Sequence, residues 1–143
     1  MAATKEVRTV WKGDMTFEGI GHKDLRVTMD TIPESGGHDE GLSPMELLLV
    51  ALAGCTAMDV ISILKKKRQD VTGFEIVTRG TRADDHPRIY TDIEIEFIVR
   101  GRAVDPQAVQ RAIELSQDKY CSVSNMLDKA ARLVTAYRVE EAG

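Results

Sequence analysis

The sequence predicts an α+β fold, with strands and helices in separate stretches of the chain. Residues 6–29 contain three short segments in which apolar and polar residues alternate, the pattern of half-buried strands. Residues 43–69 form one long, mostly apolar segment with the start and end signals of a helix. Two strands, two helices and a final strand are predicted to follow. Because strand and helix runs are segregated, the pattern argues against a doubly wound parallel sheet.

The long helix is the segment around which the predicted fold is organised. Ser43 and Glu46 have the spacing of a capping box, and Pro44 suits the first helical position. The first half of the helix is apolar on every side, which is typical of a buried helix. Asp59 interrupts the apolar run short of the roughly 20 residues that a membrane span requires, so no membrane partner is expected. One small sheet covers only one side of such a helix, so we predict an intimate homodimer in which two long helices pack together.

The strands are predicted to form antiparallel sheets. Turn signals at residues 13–14 and 19–24 predict a three-stranded meander, and the breaker-rich residues 32–41 predict a flexible loop. The clearest alternation lies at residues 89–100 and predicts a strand with one buried face. That face consists of Ile89, Thr91, Ile93, Ile95, Phe97 and Val99. The opposite face carries acids that we interpret as solvated charges without a chemical role, namely Asp92, Glu94 and Glu96.

Composition places the 143-residue chain among globular proteins of one domain, residues 1–143. Hydrophobic residues make up 43% and charged residues 29%, a balance without the signature of disorder. The net charge of −4 and the lack of a polybasic face argue against a nucleic-acid partner. Two cysteines are too few for a disulfide scaffold, and the N-terminal residues lack the apolar core of a secretory signal. We therefore expect a reducing, cytoplasmic location.

The two cysteines have different predicted surroundings. Cys55 lies in the middle of the apolar helix, with Asp59 one turn further on, where a carboxylate disfavours ionisation of the thiol. Cys121 precedes a short helix for which Ser122 or Ser124 is the predicted cap, and helix N-termini favour thiolates. Cys121 is thus predicted to be the more acidic thiol. The three histidines lack metal-ligand spacing, so neither a metal nor another bound cofactor is expected.

Two motifs give the sequence a family resemblance. They are Ser43-Pro-Met-Glu-Leu-Leu-Leu-Val-Ala-Leu-Ala-Gly-Cys55-Thr and Tyr120-Cys121-Ser-Val-Ser-Asn. Together they resemble the paired cysteine motifs of the OsmC/Ohr family, the osmotically inducible and organic-hydroperoxide-resistance proteins. The order of predicted elements agrees, so the resemblance covers nearly the whole chain. It implies antiparallel sheets wrapped around long central helices in a swapped homodimer, with active sites at the subunit interface.

The resemblance also implies a chemistry for the two thiols. Cys55 matches the thiol that attacks the O–O bond of a small organic hydroperoxide and becomes a sulfenic acid. Cys121 matches the resolving thiol, which condenses with it to a disulfide. An external dithiol, in the family often a lipoyl group, then restores both thiols. The implied activity is that of a cysteine-based, peroxiredoxin-like peroxidase in oxidative-stress defence.

Two positions depart from the hydroperoxide reductases of the family. Those enzymes place a Glu ten residues before the first Cys, paired with an Arg from the N-terminal strands. Here Met45 stands at that position, and Glu46 is rotated by about 100° around the helix, where we interpret it as the capping acid. Lys12 is the candidate for the activating cation. The run from residue 54 to Asp59 instead resembles the YhfA-like branch of the family.

Two alternatives to a peroxidase stay open at this point. The first is a non-enzymatic dimer that binds a small apolar ligand between its long helices. The second is a thiol redox sensor or a scavenger of other electrophiles, which would be alkylated at Cys55 without turning over peroxide.

Overall fold

A computed structural model describes residues 2–143 and contains six strands and three α-helices in the predicted order. The strands are β1 (Arg8–Gly13), β2 (Thr16–Ile20), β3 (Arg26–Met29), β4 (Asp70–Arg82), β5 (Tyr90–Arg102) and β6 (Arg132–Glu141). The helices are α1 (Pro44–Lys66), α2 (Pro106–Leu115) and α3 (Ser122–Leu127). The predicted α+β class is confirmed. The chain forms two compact units, one ending at Leu48 and the other spanning Leu49–Gly143, and the single-domain assignment stays a prediction.

The first unit contains the predicted antiparallel meander, with the strand order β1-β2-β3. The turn between β1 and β2 uses Gly13 and Asp14, both of which have positive φ angles. Glycine adopts such angles without strain, and Asp tolerates them better than most residues.

The loop between β3 and α1 is organised by a buried carboxylate. Asp30 is 2% exposed. Its Oδ1 accepts a hydrogen bond from the backbone N–H of Thr31 at 2.7 Å. Its Oδ2 accepts from the Thr16 hydroxyl at 3.1 Å and from the N–H groups of His38 and Glu40 at 3.2 Å each. We call Thr16, Asp30, Thr31, His38 and Glu40 the Asp30 cluster. Its hydrogen bonds hold part of the loop that the sequence predicted to be flexible.

The second unit corrects one prediction about the sheets. Its strand order is β4-β5-β6, and β4 pairs with β5 in antiparallel orientation, but β5 and β6 are parallel. The second sheet is therefore mixed rather than purely antiparallel. Helices α2 and α3 lie between β5 and β6 in the chain and provide the long connection that a parallel pair requires.

The central strand β5 has the predicted buried face from Ile93 onward, but Ile89 lies outside the strand and is 46% exposed, and Thr91 is also exposed. Its four central members, Ile93, Ile95, Phe97 and Val99, are at most 1% exposed. On the opposite face, Arg79 pairs with Glu94 and Glu96, each at 3.1 Å. These are exposed ion pairs, which contribute little to stability individually, so the interpretation of the acids as solvated charges holds.

Helix α1 begins with the predicted capping box. Glu46 Oε1 accepts hydrogen bonds from the backbone N–H and the hydroxyl of Ser43, whose Oγ accepts from the Glu46 N–H at 3.2 Å. The helix ends at Lys66, three residues before the predicted end, because Arg68 adopts a left-handed φ of 57°.

Only one stripe of α1 is buried within the chain. The stripe consists of Leu52, Thr56, Val60 and Leu64. Other apolar residues of the helix remain accessible, among them Val50 at 52% and Met58 at 74% exposure. By length and composition alone, α1 is also apolar enough to cross a membrane. Folding of one chain therefore leaves the other faces of α1 accessible, as the sequence predicted for a single copy.

Candidate functional site: a pair of thiols

The structure brings Cys55 and Cys121 together within one chain. Both are free thiols; Cys55 is half-buried and Cys121 is 0% exposed. The Cys55 thiol lies near enough to Cys121 to raise the pKa of the Cys121 thiol. Beside Cys55, the Cα of Gly54 faces open space, because a Cβ there would meet no atom within 4 Å. The two cysteines are 66 residues apart in the chain (121 − 55 = 66), and folding places the half-buried thiol of Cys55 near the fully buried thiol of Cys121.

The position of Cys121 follows from how α2 ends. The chain continues from α2 into a π-helical turn, Ser116–Tyr120, and Cys121 N–H closes it on the Ser116 carbonyl at 2.7 Å. Cys121 then leaves the helical conformation and becomes the N-cap of α3, its Sγ accepting from the Ser124 N–H at 3.3 Å. This corrects the prediction that Ser122 or Ser124 caps α3. Inserted π-turns of this kind are frequent at functional sites.

A closed set of hydrogen bonds surrounds the Cys121 sulfur. The Thr56 hydroxyl donates to Cys121 Sγ at 3.3 Å, and Gln117 Nε2 donates to Thr56 Oγ1 at 3.1 Å. The Ser124 hydroxyl in turn donates to Gln117 Oε1 at 2.7 Å. Asn125 Nδ2 donates to the backbone carbonyls of Gln117 and Cys121 at 3.0 and 2.8 Å. We call Thr56, Gln117, Cys121, Ser124 and Asn125 the Cys121 cluster.

The pKa of the Cys121 thiol is raised, whereas the sequence predicted an acidic thiol at this position. Burial raises the pKa of the Cys121 thiol, and the neighbouring Cys55 raises it further. The hydroxyl of Thr56 and the N–H of Ser124 lower it, but they do not outweigh burial. The prediction took the helix start as an acidifying position for Cys121; the loss of water around this fully buried sulfur outweighs that effect, so the expected lowering of its pKa is not found.

Asp59 connects α1 to the turn that precedes Cys121. Its Oδ2 accepts a hydrogen bond from the hydroxyl of buried Ser116 at 2.9 Å. The same carboxylate lines a cavity of about 360 Å³ together with Ser62, Ile63, Lys66, Leu115 and Tyr120. Asp59 thus lies one turn from Cys55 and also binds the first residue of the π-helical turn; its role as a supporting site residue stays a prediction.

The other two supporting candidates belong to the first unit. Glu46 is the capping acid, as interpreted from the sequence, and the N–H and hydroxyl of Ser43 lower the pKa of its carboxyl group. Lys12 is an exposed residue of β1. Its role as the cation that activates Cys55 stays a prediction.

Sequence reasoning missed the polar residues that contact Cys121. Thr56 directly follows Cys55, and a buried hydroxyl in an apolar helix could have indicated a nearby polar partner. Cys121 and Ser124 have the three-residue spacing of a helix cap, so the capping role of the thiol was present in the pattern. The hydrogen bond from Gln117 to Thr56 depends on the π-helical turn, and no sequence pattern predicted that turn.

The fold and the site together define a class: α+β proteins that hold two thiols in contact, one on a long helix and one at the start of a short helix. Residues 37–136 match the family of OsmC-like proteins. Since this match covers more than half of the chain, the protein belongs to the OsmC family.

Two relatives and one protein of the same fold show what the chain is similar to. Protein YhfA of Escherichia coli strain K12 is 41% identical over 134 residues, which cover 94% of this chain and 97% of YhfA. A hypothetical protein from Aquifex aeolicus is 35% identical in its crystal structure, with a TM-score of 0.87 over 99% of this chain and 100% of the other. An organic hydroperoxide resistance protein from Elizabethkingia anophelis shares the fold, with 14% identity, a TM-score of 0.68, and coverage of 99% and 100%.

Proposed function

We propose that the protein is a thiol peroxidase that reduces small organic hydroperoxides in defence against oxidative stress. The observation that carries the proposal is the contact between a half-buried thiol, Cys55, and a fully buried one, Cys121. A peroxide can reach only a sulfur that is accessible, so exposure assigns the first step to Cys55 and the second to Cys121. That organic hydroperoxide resistance proteins share this fold supports the proposal further.

The proposed reaction proceeds in three balanced steps. The Cys55 thiolate attacks the terminal peroxide oxygen, the O–O bond breaks, and the alkoxide leaves as an alcohol after taking a proton. Cys121 then attacks the Cys55 sulfenic acid, forming the disulfide and releasing water. An external dithiol, such as a lipoyl group, reduces the disulfide and becomes oxidised itself. No resident cofactor takes part in this scheme.

The decisive experiment treats the reduced protein with about one equivalent of cumene hydroperoxide, in line with the one-to-one stoichiometry of the first step. Peptide mass spectrometry should show a Cys55–Cys121 disulfide, and the peroxide should be consumed. Cys55→Ser should consume none. Cys121→Ser should still consume one equivalent, and it should leave a sulfenic acid that dimedone traps. A protein that keeps both thiols and consumes no peroxide would contradict the proposal.

We also propose that the active form is a cytoplasmic homodimer. The accessible apolar residues of α1, such as Val50 and Met58, are suited to cover by a second copy of the chain. Light scattering during size-exclusion chromatography, without detergent, should give twice the mass of the chain. A monodisperse monomer, or a requirement for detergent, would refute this part of the proposal.

One cavity favours a second candidate function, the binding of a small apolar ligand. A cavity of about 340 Å³ lies between α1 and β4, and it is lined by Val50, Ala53, Gly54, Ala57, Phe74, Glu75 and Ile76. If ligand binding is the function, a small apolar molecule should raise the Tm while both thiols stay unreactive toward peroxide. Alkylation of Cys55 without peroxide turnover would instead indicate a redox sensor or an electrophile scavenger.

A further inference from the structure

The two sulfurs of the pair differ in both access and hydrogen bonding. Cys121 is 0% exposed, and its Sγ accepts hydrogen bonds from the Thr56 hydroxyl and the Ser124 N–H, each at 3.3 Å. Cys55 is half-buried, so of the two thiols it is the accessible one. In a disulfide between them, an incoming thiol can approach one sulfur, while the preformed donors point at the other.

We infer that the Cys55–Cys121 disulfide is reduced in one direction: a thiol reductant attacks Cys55 Sγ, and Cys121 leaves as a thiolate held by Thr56 and Ser124. The inference deepens the proposed function, since it concerns the disulfide that the proposed cycle forms. It assigns Thr56 and Gln117 as positioning residues, because they direct a donor at the leaving sulfur.

The electrons and protons balance in this direction. The first thiolate of a dithiol attacks Cys55 Sγ, a new S–S bond forms, and the pair from the old bond leaves on Cys121. The second thiolate of the dithiol then attacks its partner sulfur, which releases the Cys55 thiolate and oxidises the dithiol to a disulfide. The two protons that the dithiol lost are returned through water to Cys55 and Cys121.

Access decides the direction, and the donors make it feasible. Thiol–disulfide exchange depends on which sulfur the attacking thiol can reach and on how well the other sulfur leaves. Burial alone makes a thiolate at Cys121 unfavourable, so the leaving sulfur needs donors already in place. The hydroxyl of Thr56 and the N–H of Ser124 are those donors, because both aim at Sγ before any exchange begins.

Gln117 fixes the orientation of the Thr56 hydroxyl. Gln117 Nε2 donates to Thr56 Oγ1, so an oxygen lone pair is occupied and the hydroxyl hydrogen is free to point at sulfur. The Ser124 hydroxyl donates to Gln117 Oε1 at 2.7 Å, which sets the amide with its nitrogen toward Thr56. Thr56→Val would keep the shape of the side chain and remove the hydroxyl that donates to Cys121 Sγ.

The test of direction uses a disulfide made without peroxide. The wild-type protein is oxidised with diamide, exposed briefly to glutathione, quenched in acid, denatured and alkylated with N-ethylmaleimide. Peptide mapping should place glutathione on Cys55 and the maleimide on Cys121. Glutathione on Cys121, an even distribution, or failure of diamide to form the disulfide would overturn the inference. If glutathione lies on Cys55 but the protein consumes no peroxide, the proposed function fails and the inference stands.

The test of the donors compares matched variants. Thr56→Val should slow reduction of the diamide-formed disulfide by glutathione about threefold to tenfold, because one charge-assisted hydrogen bond to the leaving sulfur is lost. Thr56→Ser should restore the rate. Thr78→Val is the control, because Thr78 is a threonine of β4 whose buried hydroxyl has no partner among residues 2–143.

A second variant tests the hydrogen-bond donors to Cys121 Sγ if Thr56→Val does not fold. Gln117→Met retains the hydroxyl of Thr56 but frees its orientation, and it should give an intermediate decrease in rate. Equal rates in wild type, Gln117→Met and every folded Thr56 variant would overturn the positioning role.

Discussion

The Asp30 cluster of the first unit and the Cys121 cluster of the second unit are built alike but have opposite effects on ionisation. Each contains a buried acid, with Asp30 2% and Cys121 0% exposed. Each acid accepts hydrogen bonds from a threonine hydroxyl and from the backbone, three N–H groups at Asp30 and one at Cys121. Nevertheless, the pKa of Asp30 is lowered, whereas the pKa of Cys121 is raised.

The number of donors explains the difference. Burial alone would raise the pKa of Asp30, but three backbone N–H groups and the Thr16 hydroxyl outweigh it. Cys121 has only one N–H and one hydroxyl as donors, and Cys55 beside it raises the pKa further. The Asp30 carboxyl group is therefore stabilised as a charge by its donors, whereas burial disfavours a thiolate at Cys121.

The largest effect is expected from removing the Asp30 carboxylate. Asp30→Ala should lower the Tm more than Thr16→Val, Thr56→Val or Thr78→Val, because three partly buried N–H groups lose their acceptor. Thermal unfolding followed by circular dichroism measures it. Thr16→Val is the matched control: it removes only one of the four donors and should lower the Tm less. An unchanged Tm in Asp30→Ala would show that the cluster does not hold the loop.

A pH titration sharpens the contrast. Because the pKa of Asp30 is lowered from its ordinary value of 3.8, its stabilisation is present above that value and is lost as the pH falls through the lower pKa of the folded state. The urea midpoint of the wild type should therefore fall in this acidic range, and Asp30→Asn should fall less steeply. Parallel curves for the two proteins would contradict the assignment of the charge to Asp30.

The smallest changes in stability are expected from replacing two threonines that have different surroundings. Thr56→Val leaves the Gln117 amide without its acceptor and should lower the free energy of unfolding by about 1–3 kcal/mol. Thr78→Val removes a buried hydroxyl that has no partner within residues 2–143, so it should be neutral or slightly stabilising. Urea unfolding of the reduced proteins distinguishes the two. Equal losses would mean that the Cys121 cluster contributes no more than packing.

Much of the fold could be predicted from local patterns. The meander, α1 with its capping box at Ser43 and Glu46, and the buried face of β5 all follow from periodicity and from short-range start and turn signals. The parallel pairing of β5 and β6 could not be predicted in the same way, because strand periodicity is the same in parallel and antiparallel pairs exposed on one face.

The amino-acid sequence by itself determined the order of the elements, the position of Cys55 within an apolar helix and that of Cys121 at the start of another. Only the tertiary structure decided how each acid behaves. The pKa of Cys121 depends on burial and on the hydroxyl of Thr56, which is 65 residues away in the chain. The pKa of Asp30 depends on backbone N–H groups of its own loop. Ionisation responds to everything within a few ångströms in space, and adjacency in space is the property that a linear pattern does not contain.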